Sequence, residues 1–136
     1  MPFKALLYIT RKAGTTPTEF RNHYENVHMP LIKGLAGPDF PLSHKRYYLA
    51  RPAPGEDDTY PAVVLMGSQT DFSYDAVTEV TFGSEEAMKV FFGRRMEPGT
   101  KEIIDADEEK FLESSKVRAV ILGEVNETLG ESSTVG

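Results

Sequence analysis

From Phe3 to Lys12 the chain alternates, with Ala5, Leu7 and Ile9 on one side and Leu6, Tyr8 and Thr10 on the other, which predicts a strand with two half-buried faces. Ala13-Gly14 interrupts the pattern. Thr16-Pro17-Thr18-Glu19 then supplies an N-cap, a proline at the first helical position and a capping-box glutamate, so a helix is predicted to start there. Its apolar stripe reads Phe20, Tyr24, Val27 and Leu31, and Pro30 with Gly34 marks its expected end. After a Gly/Pro-rich stretch, Ser43 to Arg51 reads as a second strand, residues 52–61 as a solvated loop, and Ala62 to Met66 as either a short strand or part of a lid. Tyr74 to Phe82 is the clearest strand pattern: Ala76, Val80 and Phe82 share one face, Asp75, Val77, Glu79 and Thr81 the other. Ser84-Glu85-Glu86 opens a helix through Ala87, Met88, Phe91 and Phe92, closed by Gly93. A further helical stretch from Thr100 carries Ile103, Ile104 and Phe111, Lys116 to Val125 reads as the last strand, and residues 126–136 as a polar tail.

The order is therefore β-α-β twice, with an irregular insertion at 51–73 before the third strand. This is the split βαβ plan: an α+β, ferredoxin-like, four-stranded antiparallel sheet with its helices on one face, in one domain over residues 1–125. The other face is left open. With Leu6, Tyr8, Val77 and Tyr47 or Tyr48 on it, that face is an apolar patch larger than monomers tolerate, so two sheets closing face to face in a homodimer are expected. Asp75 and Glu79 on the same face place a mixed polar and apolar cavity between those sheets.

Composition narrows the partners. The 136 residues are 40% hydrophobic and 26% charged, enough for one core without staples. Cysteine is absent, which removes thiol nucleophiles, disulfides and thiolate metal sites. A net charge of -6 with no basic stripe argues against nucleic acid. No leader pattern and no membrane-length apolar run are read, so no membrane partner and a cytoplasmic location are the expectations.

The candidate chemistry rests on few groups. His28 follows Tyr24 by four residues and shares a helical face with Phe20 and Leu31, so it faces protein; it suits proton transfer near neutral pH, or it merely caps the helix end. Asp75 could orient and stabilise an imidazolium there, or anchor a loop or an arginine such as Arg11. Glu79 is a third candidate on the same inward face. Tyr8, Tyr24, Tyr47, Tyr48 and Tyr74 could hydrogen-bond a substrate oxygen, though strand aromatics also serve as core. His44, at the start of the second strand, could reach the barrel mouth. His23 falls about 140° round an α-helix from His28, so the two cannot easily chelate one metal. Three scattered histidines make no metal site, no glycine-rich loop cradles a phosphate or dinucleotide, and no serine elbow is present, which leaves a mechanism without metal or cofactor.

The segments Tyr8 to Gly14, Thr16 to Phe20, Tyr24 to Leu31 with its Asn-x-His-x-Pro element, Tyr74 to Phe82 with Tyr-Asp-x-Val-x-Glu, and Asp107 to Phe111 resemble the EthD family. The resemblance implies a dimeric α+β barrel. It also implies the company of small cofactor-free enzymes acting on aromatic or polyketide-derived secondary metabolites, as in fungal pathways. The long 51–73 segment is similar to a fungal subgroup. On this footing the expected function is a lyase working by acid/base chemistry, dehydration ahead of decarboxylation or cyclisation. A cofactor-independent anthrone-type monooxygenase and a non-catalytic ligand-binding barrel are the alternatives. The expected catalytic pair is His28 and Asp75, with Tyr8, Tyr24, Tyr48, Tyr74, Glu79 and His44 binding substrate.

Overall fold

A computed structural model describes residues 2–55 and 59–131. The elements run β1 (Phe3–Ile9), α1 (Pro17–His23), a π-helical turn (Tyr24–His28), α2 (Met29–Ala36), β2 (Ser43–Tyr48), β3 (Ala76–Phe82), α3 (Glu85–Arg95), α4 (Thr100–Glu108) and β4 (Arg118–Ile121). The four strands form one antiparallel sheet in the order β2-β3-β1-β4, the split βαβ topology expected from the pattern. Each strand is shorter than its sequence run. Past Tyr48 and Ile121 single backbone hydrogen bonds, Leu49 to the Asp75 carbonyl and Leu122 to the Lys4 carbonyl, extend the pairing, and an isolated bridge, Arg11 to Leu112, continues the β1 direction.

Local signals act where the sequence places them. The Thr16 hydroxyl accepts from the Glu19 amide at 3.0 Å and the Glu19 carboxylate accepts from the Thr16 amide at 2.8 Å, a complete capping box with Pro17 behind it. Ser84 caps α3 through the Ala87 amide. That helix runs past Gly93 to Arg95, because Arg94 and Arg95 find carboxylates on neighbouring elements that hold the last turn. Gly14 and Gly99, both at positive φ, turn the chain into α1 and α4.

The first helix departs from expectation at Pro30. It does not end there: an i→i+5 bond from the Met29 amide to the Tyr24 carbonyl widens one turn, and α2 carries on to Ala36. Proline lacks the amide that an α-helix would use, and its ring collides with the carbonyl four residues back, so a widened turn just ahead of it lets the helix continue. The slip of register also moves the buried stripe. Phe20, Tyr24 and His28 face inward, whereas Val27 is exposed.

Ile9, Phe20, Tyr24, Ala76, Phe111 and Leu112 make the core between the helices and the sheet. On β3 the residues facing it are Ala76, Thr78, Val80 and Phe82, all buried. Register puts His44, Arg46 and Tyr48 of β2 opposite Val80, Thr78 and Ala76, hence on this helix-covered face. The uncovered face carries Leu6, Tyr8, Val77, Glu79, Tyr47 and Val120. Of the two tyrosines of β2, Tyr47 and not Tyr48 is thus on the open side.

The described residues of the 51–73 segment add no strand to the sheet, and none of them lines the larger cavity. Arg51 pins it, donating to the carbonyls of Tyr60, Phe72 and Tyr74 at 2.6–2.8 Å, while Gln69 and Ala62 exchange two hydrogen bonds. Glu56 to Asp58 and residues 132–136 lie outside the described residues. The described part of the tail has no helix or strand of any length.

Candidate active site

A cavity of about 560 Å³ lies between the helices and the covered face of the sheet, not on the open face where the carboxylate pattern had placed it. Leu7, Ile32, Phe91, Phe92, Ile104 and Val117 give it apolar walls. Tyr24, His28 and His44 bring polar atoms to it from the π-turn and from β2. Its mouth is charged but compensated: Arg95 is held by Asp105 and Glu108, each at 2.8 Å, and Arg94 by Asp39. A mainly apolar, concave space with a few convergent polar groups is the usual anatomy of a small-molecule site.

His28 is buried, and its Nδ1 lies 2.8 Å from Asp107 Oδ2. The other carboxylate oxygen, Oδ1, meets His23 Nε2 at 2.9 Å. Two imidazoles thus share one carboxylate, although a regular α-helix would set them about 140° apart. The π-turn is the reason: an i→i+5 repeat brings residue 28 round above residue 23, so both reach α4 from one side. Phe111 stacks on His23 with centroids 4.6 Å apart and also packs on His28, fixing both rings.

Electrostatics follow from burial. Desolvation holds the His28 pKa below its ordinary value, outweighing Asp107 and Glu108, so the ring is neutral at neutral pH. Burial pushes the Asp107 carboxyl up, but the hydrogen bonds from His28 and His23 outweigh it and leave the carboxyl below its usual range. An ionised carboxylate only accepts, so Nδ1 carries the His28 proton and Nε2 is left as the basic atom of a ring that lines the cavity. Beside it, the Tyr24 hydroxyl is hydrogen-bonded to Thr78 at 2.9 Å, and burial raises its pKa to about 12, which rules out a phenolate.

The remaining candidates are distributed differently. Asp75 does not pair with His28. It is buried against Arg11 and Arg51, at 3.1 and 3.0 Å, takes the Arg11 amide as well, and lines a second, smaller pocket with Tyr48 and Arg51. This is the loop-anchoring role that the sequence left open. Two arginines converge there because β1 and β2 end, and β3 begins, at that end of the sheet.

Glu79 is on the open face, bonded by Lys4 at 2.9 Å and Tyr47 at 3.0 Å, and the Lys4 ammonium holds its carboxyl below the usual range. Tyr8 is also on that face, and Tyr74 packs edge-on against it, so neither lines the larger cavity. Tyr48 donates to Glu25 and packs on Phe20 and Tyr24 behind the cavity wall. Tyr24 and His44 do line the cavity. Among the described residues, no group of three or more histidine, cysteine, aspartate or glutamate side chains is placed to hold a metal ion.

Asp107 carried a readable signal. It falls three residues after Ile104 and four before Phe111, so a carboxylate occupies the apolar stripe of a helix, where an acid is costly unless partnered. Arg46 and Glu25 carried none, because their meeting depends on β2 lying beside the π-turn.

Fold and site together describe a ferredoxin-like α+β protein with a His–Asp pair on the wall of an apolar cavity. The chain belongs to the EthD family, whose domain model matches residues 12–115. It is 28% identical, over 82% of its own length and 75% of the relative's, to a protein of Ustilaginoidea virens named Dehydratase ustZ. Its fold is similar to an EthD-family protein from Bacillus halodurans (TM-score 0.53, 17% identity, 90% of this chain and 99% of that one). An Arabidopsis thaliana protein, At3g17210, is also similar (TM-score 0.56, 15% identity, 93% and 99% covered). A further similar structure, from Thermobifida fusca, is described as a dimeric ferredoxin-like protein (TM-score 0.50, 12% identity, 91% and 92% covered).

Proposed function

We propose that this protein is a dehydratase that removes water from a hydroxylated aromatic or polyketide-derived ring by acid/base chemistry, with His28 as the base. The observation that carries the reading is the neutral imidazole of His28, tied at Nδ1 to Asp107, on the wall of an apolar cavity. The dehydratase name of the Ustilaginoidea virens relative supports the choice of reaction. In the step proposed, His28 Nε2 takes a proton from the carbon beside a carbonyl, and the electron pair of that C–H bond becomes the C=C bond. The C–O bond to the neighbouring hydroxyl breaks, and the departing oxygen takes the proton from the His28 imidazolium to leave as water. Asp107 keeps the tautomer and steadies the imidazolium between the two transfers, and the apolar walls keep bulk water from intercepting it.

The test is a panel of ring ketones bearing a hydroxyl on the carbon next but one to the carbonyl, followed by mass spectrometry for the dehydrated product. His28→Gln should lower turnover by about a hundredfold or more, the usual scale for a general acid/base group, with the circular dichroism spectrum unchanged. Full turnover in that variant would overturn the assignment.

The chain is further proposed to act as a homodimer closed through its open sheet face. Val77, Val120 and Tyr47 on that face are apolar and half exposed or partly covered, and Lys4 and Glu79 pair at its centre, a mixture suited to a second copy of the same surface. The dimeric description of the Thermobifida fusca protein supports it.

A further inference from the structure

His44 lines the same cavity as His28, yet no acid holds it. Its Nδ1 is 2.8 Å from Arg46 Nη1, and that same nitrogen of Arg46 donates to the His44 carbonyl at 2.9 Å. A guanidinium has donors only and does not lose its proton. His44 Nδ1 must therefore accept, and its ring proton must sit on Nε2. Arg46 is itself fixed by Glu25 in a two-pronged contact, Nε to Oε2 at 2.6 Å and Nη2 to Oε1 at 2.9 Å, and the Tyr48 hydroxyl donates to the same carboxylate. The line Tyr48–Glu25–Arg46–His44 runs from the core to the cavity wall.

His28 and His44 are consequently of opposite tautomer. One is tied to an acceptor and keeps a basic Nε2; the other is tied to a donor and keeps an Nε2–H. We infer that His44 is the hydrogen-bond donor to the carbonyl oxygen of the substrate, with Arg46 as the positioning residue that locks its proton on Nε2. The inference rests on reading this cavity as the substrate site. Burial and the Arg46 charge hold the His44 pKa down to about 4, so the ring stays a neutral donor across the working range. A neutral N–H aimed at a carbonyl oxygen strengthens its bond as that oxygen gains charge, which is the property an enolate-forming step needs. It also selects the substrate class: a ligand with a hydrogen-bond acceptor on an apolar ring, not an acid, because the cationic side chains at the mouth are already compensated by carboxylates.

The experiment needs no substrate. The chain has three histidines, so the imidazole nitrogens of the full-length protein can be resolved by long-range proton–nitrogen correlation NMR and assigned with His23→Gln, His28→Gln and His44→Gln. His44 should show a protonated Nε2 and an accepting Nδ1, and His28 the reverse. In Arg46→Leu the His44 signals should move to the average of exchanging tautomers, and Arg46→Lys should restore part of the locked pattern. A wild-type His44 with its proton on Nδ1, or already averaging, overturns the inference without touching the assignment of His28.

The binding half uses 9-fluorenone against fluorene, which share a shape but differ in a carbonyl. The wild type should prefer the ketone by about three- to tenfold, the worth of one neutral hydrogen bond, and His44→Ala should lose that preference. Equal binding of the two by the wild type, or binding of neither, overturns His44 as the carbonyl donor. Turnover enters none of these readings.

Discussion

At the scale of single residues, the site is defined by which atom each imidazole is allowed to protonate. His28 is legible in the sequence as a buried helical histidine, and Asp107 as an acid in an apolar stripe, but the pairing of the two is not. Asp75 was the nearest acid by pattern, and it serves the arginines instead. The two acids can be told apart by consequence. Asp107→Asn should cut turnover by about a hundredfold or more while the fold persists, because an amide can offer its N–H to Nδ1 and reverse the tautomer. Asp75→Asn should leave turnover nearly intact but cost about 3–5 kcal/mol in urea unfolding, since Arg11 and Arg51 lose a buried counter-charge.

The histidines also set a direction for pH. His28 and His44 both have folded-state pKa values below the ordinary 6.5, the latter near 4. The unfolded chain therefore binds more protons between pH 6.5 and about 4. Their contribution to stability is complete above about pH 6.5 and is lost as pH falls through that window. Urea unfolding at pH 7 and pH 5 should show wild type losing more stability than His44→Gln. Turnover should fall on the acid side as well, since the base must be neutral, and the midpoint of that fall should lie below 6.5.

At the scale of elements, the π-turn decides more than any other feature. Tyr24 to His28 carries one residue more than an α-turn would, and the surplus is what places His23 and His28 on one carboxylate and lets the helix pass Pro30. Removing Val27, which is exposed, should collapse the turn to α-geometry and leave Pro30 in an ordinary helix interior. The expected loss is about 3 kcal/mol of stability, recovered in large part when Pro30→Ala is added. Val27→Ala alone should change stability by less than about 0.5 kcal/mol, so the deletion measures the turn and not the side chain. If the deletion proves neutral with Pro30 in place, the proline is not what the widened turn accommodates.

At the scale of the whole molecule, the sheet separates two jobs. One face is covered by helices and holds the cavity; the other is proposed to hold a second copy of the chain. Val77 sits between Tyr8 and Tyr47 at the centre of the open face. Val77→Lys should convert a dimer to monomer in sedimentation velocity at micromolar concentration, while leaving the His28 and His44 nitrogen signals in place, because those rings lie across the sheet. Sedimentation of the wild type as a monomer would remove the dimer from the account and leave the cavity chemistry as argued.

Much of this protein is determined by sequence alone, for reasons that are local. The helix caps, the strand alternation and the β-α-β order depend on residues within a few positions of one another, so α1, β1 and β3 start within two residues of where the pattern puts them, and the ferredoxin-like topology follows. The Asn26-to-Pro30 element marked the site through family resemblance, and His28, Tyr24 and His44 do line the cavity. What only the tertiary structure decided is partnership. Asp107 reaches His28 across 79 residues, Arg11 reaches Asp75 across 64, and Arg46 reaches Glu25 across 21. The face that holds the cavity was decided at the same level. Alternation says which residues share a side of a strand, but not which side the helices will cover; the covered side is the one that carries Ile9, Ala76, Val80 and Phe82, and Thr78, Tyr24 and the two histidines are enclosed with them.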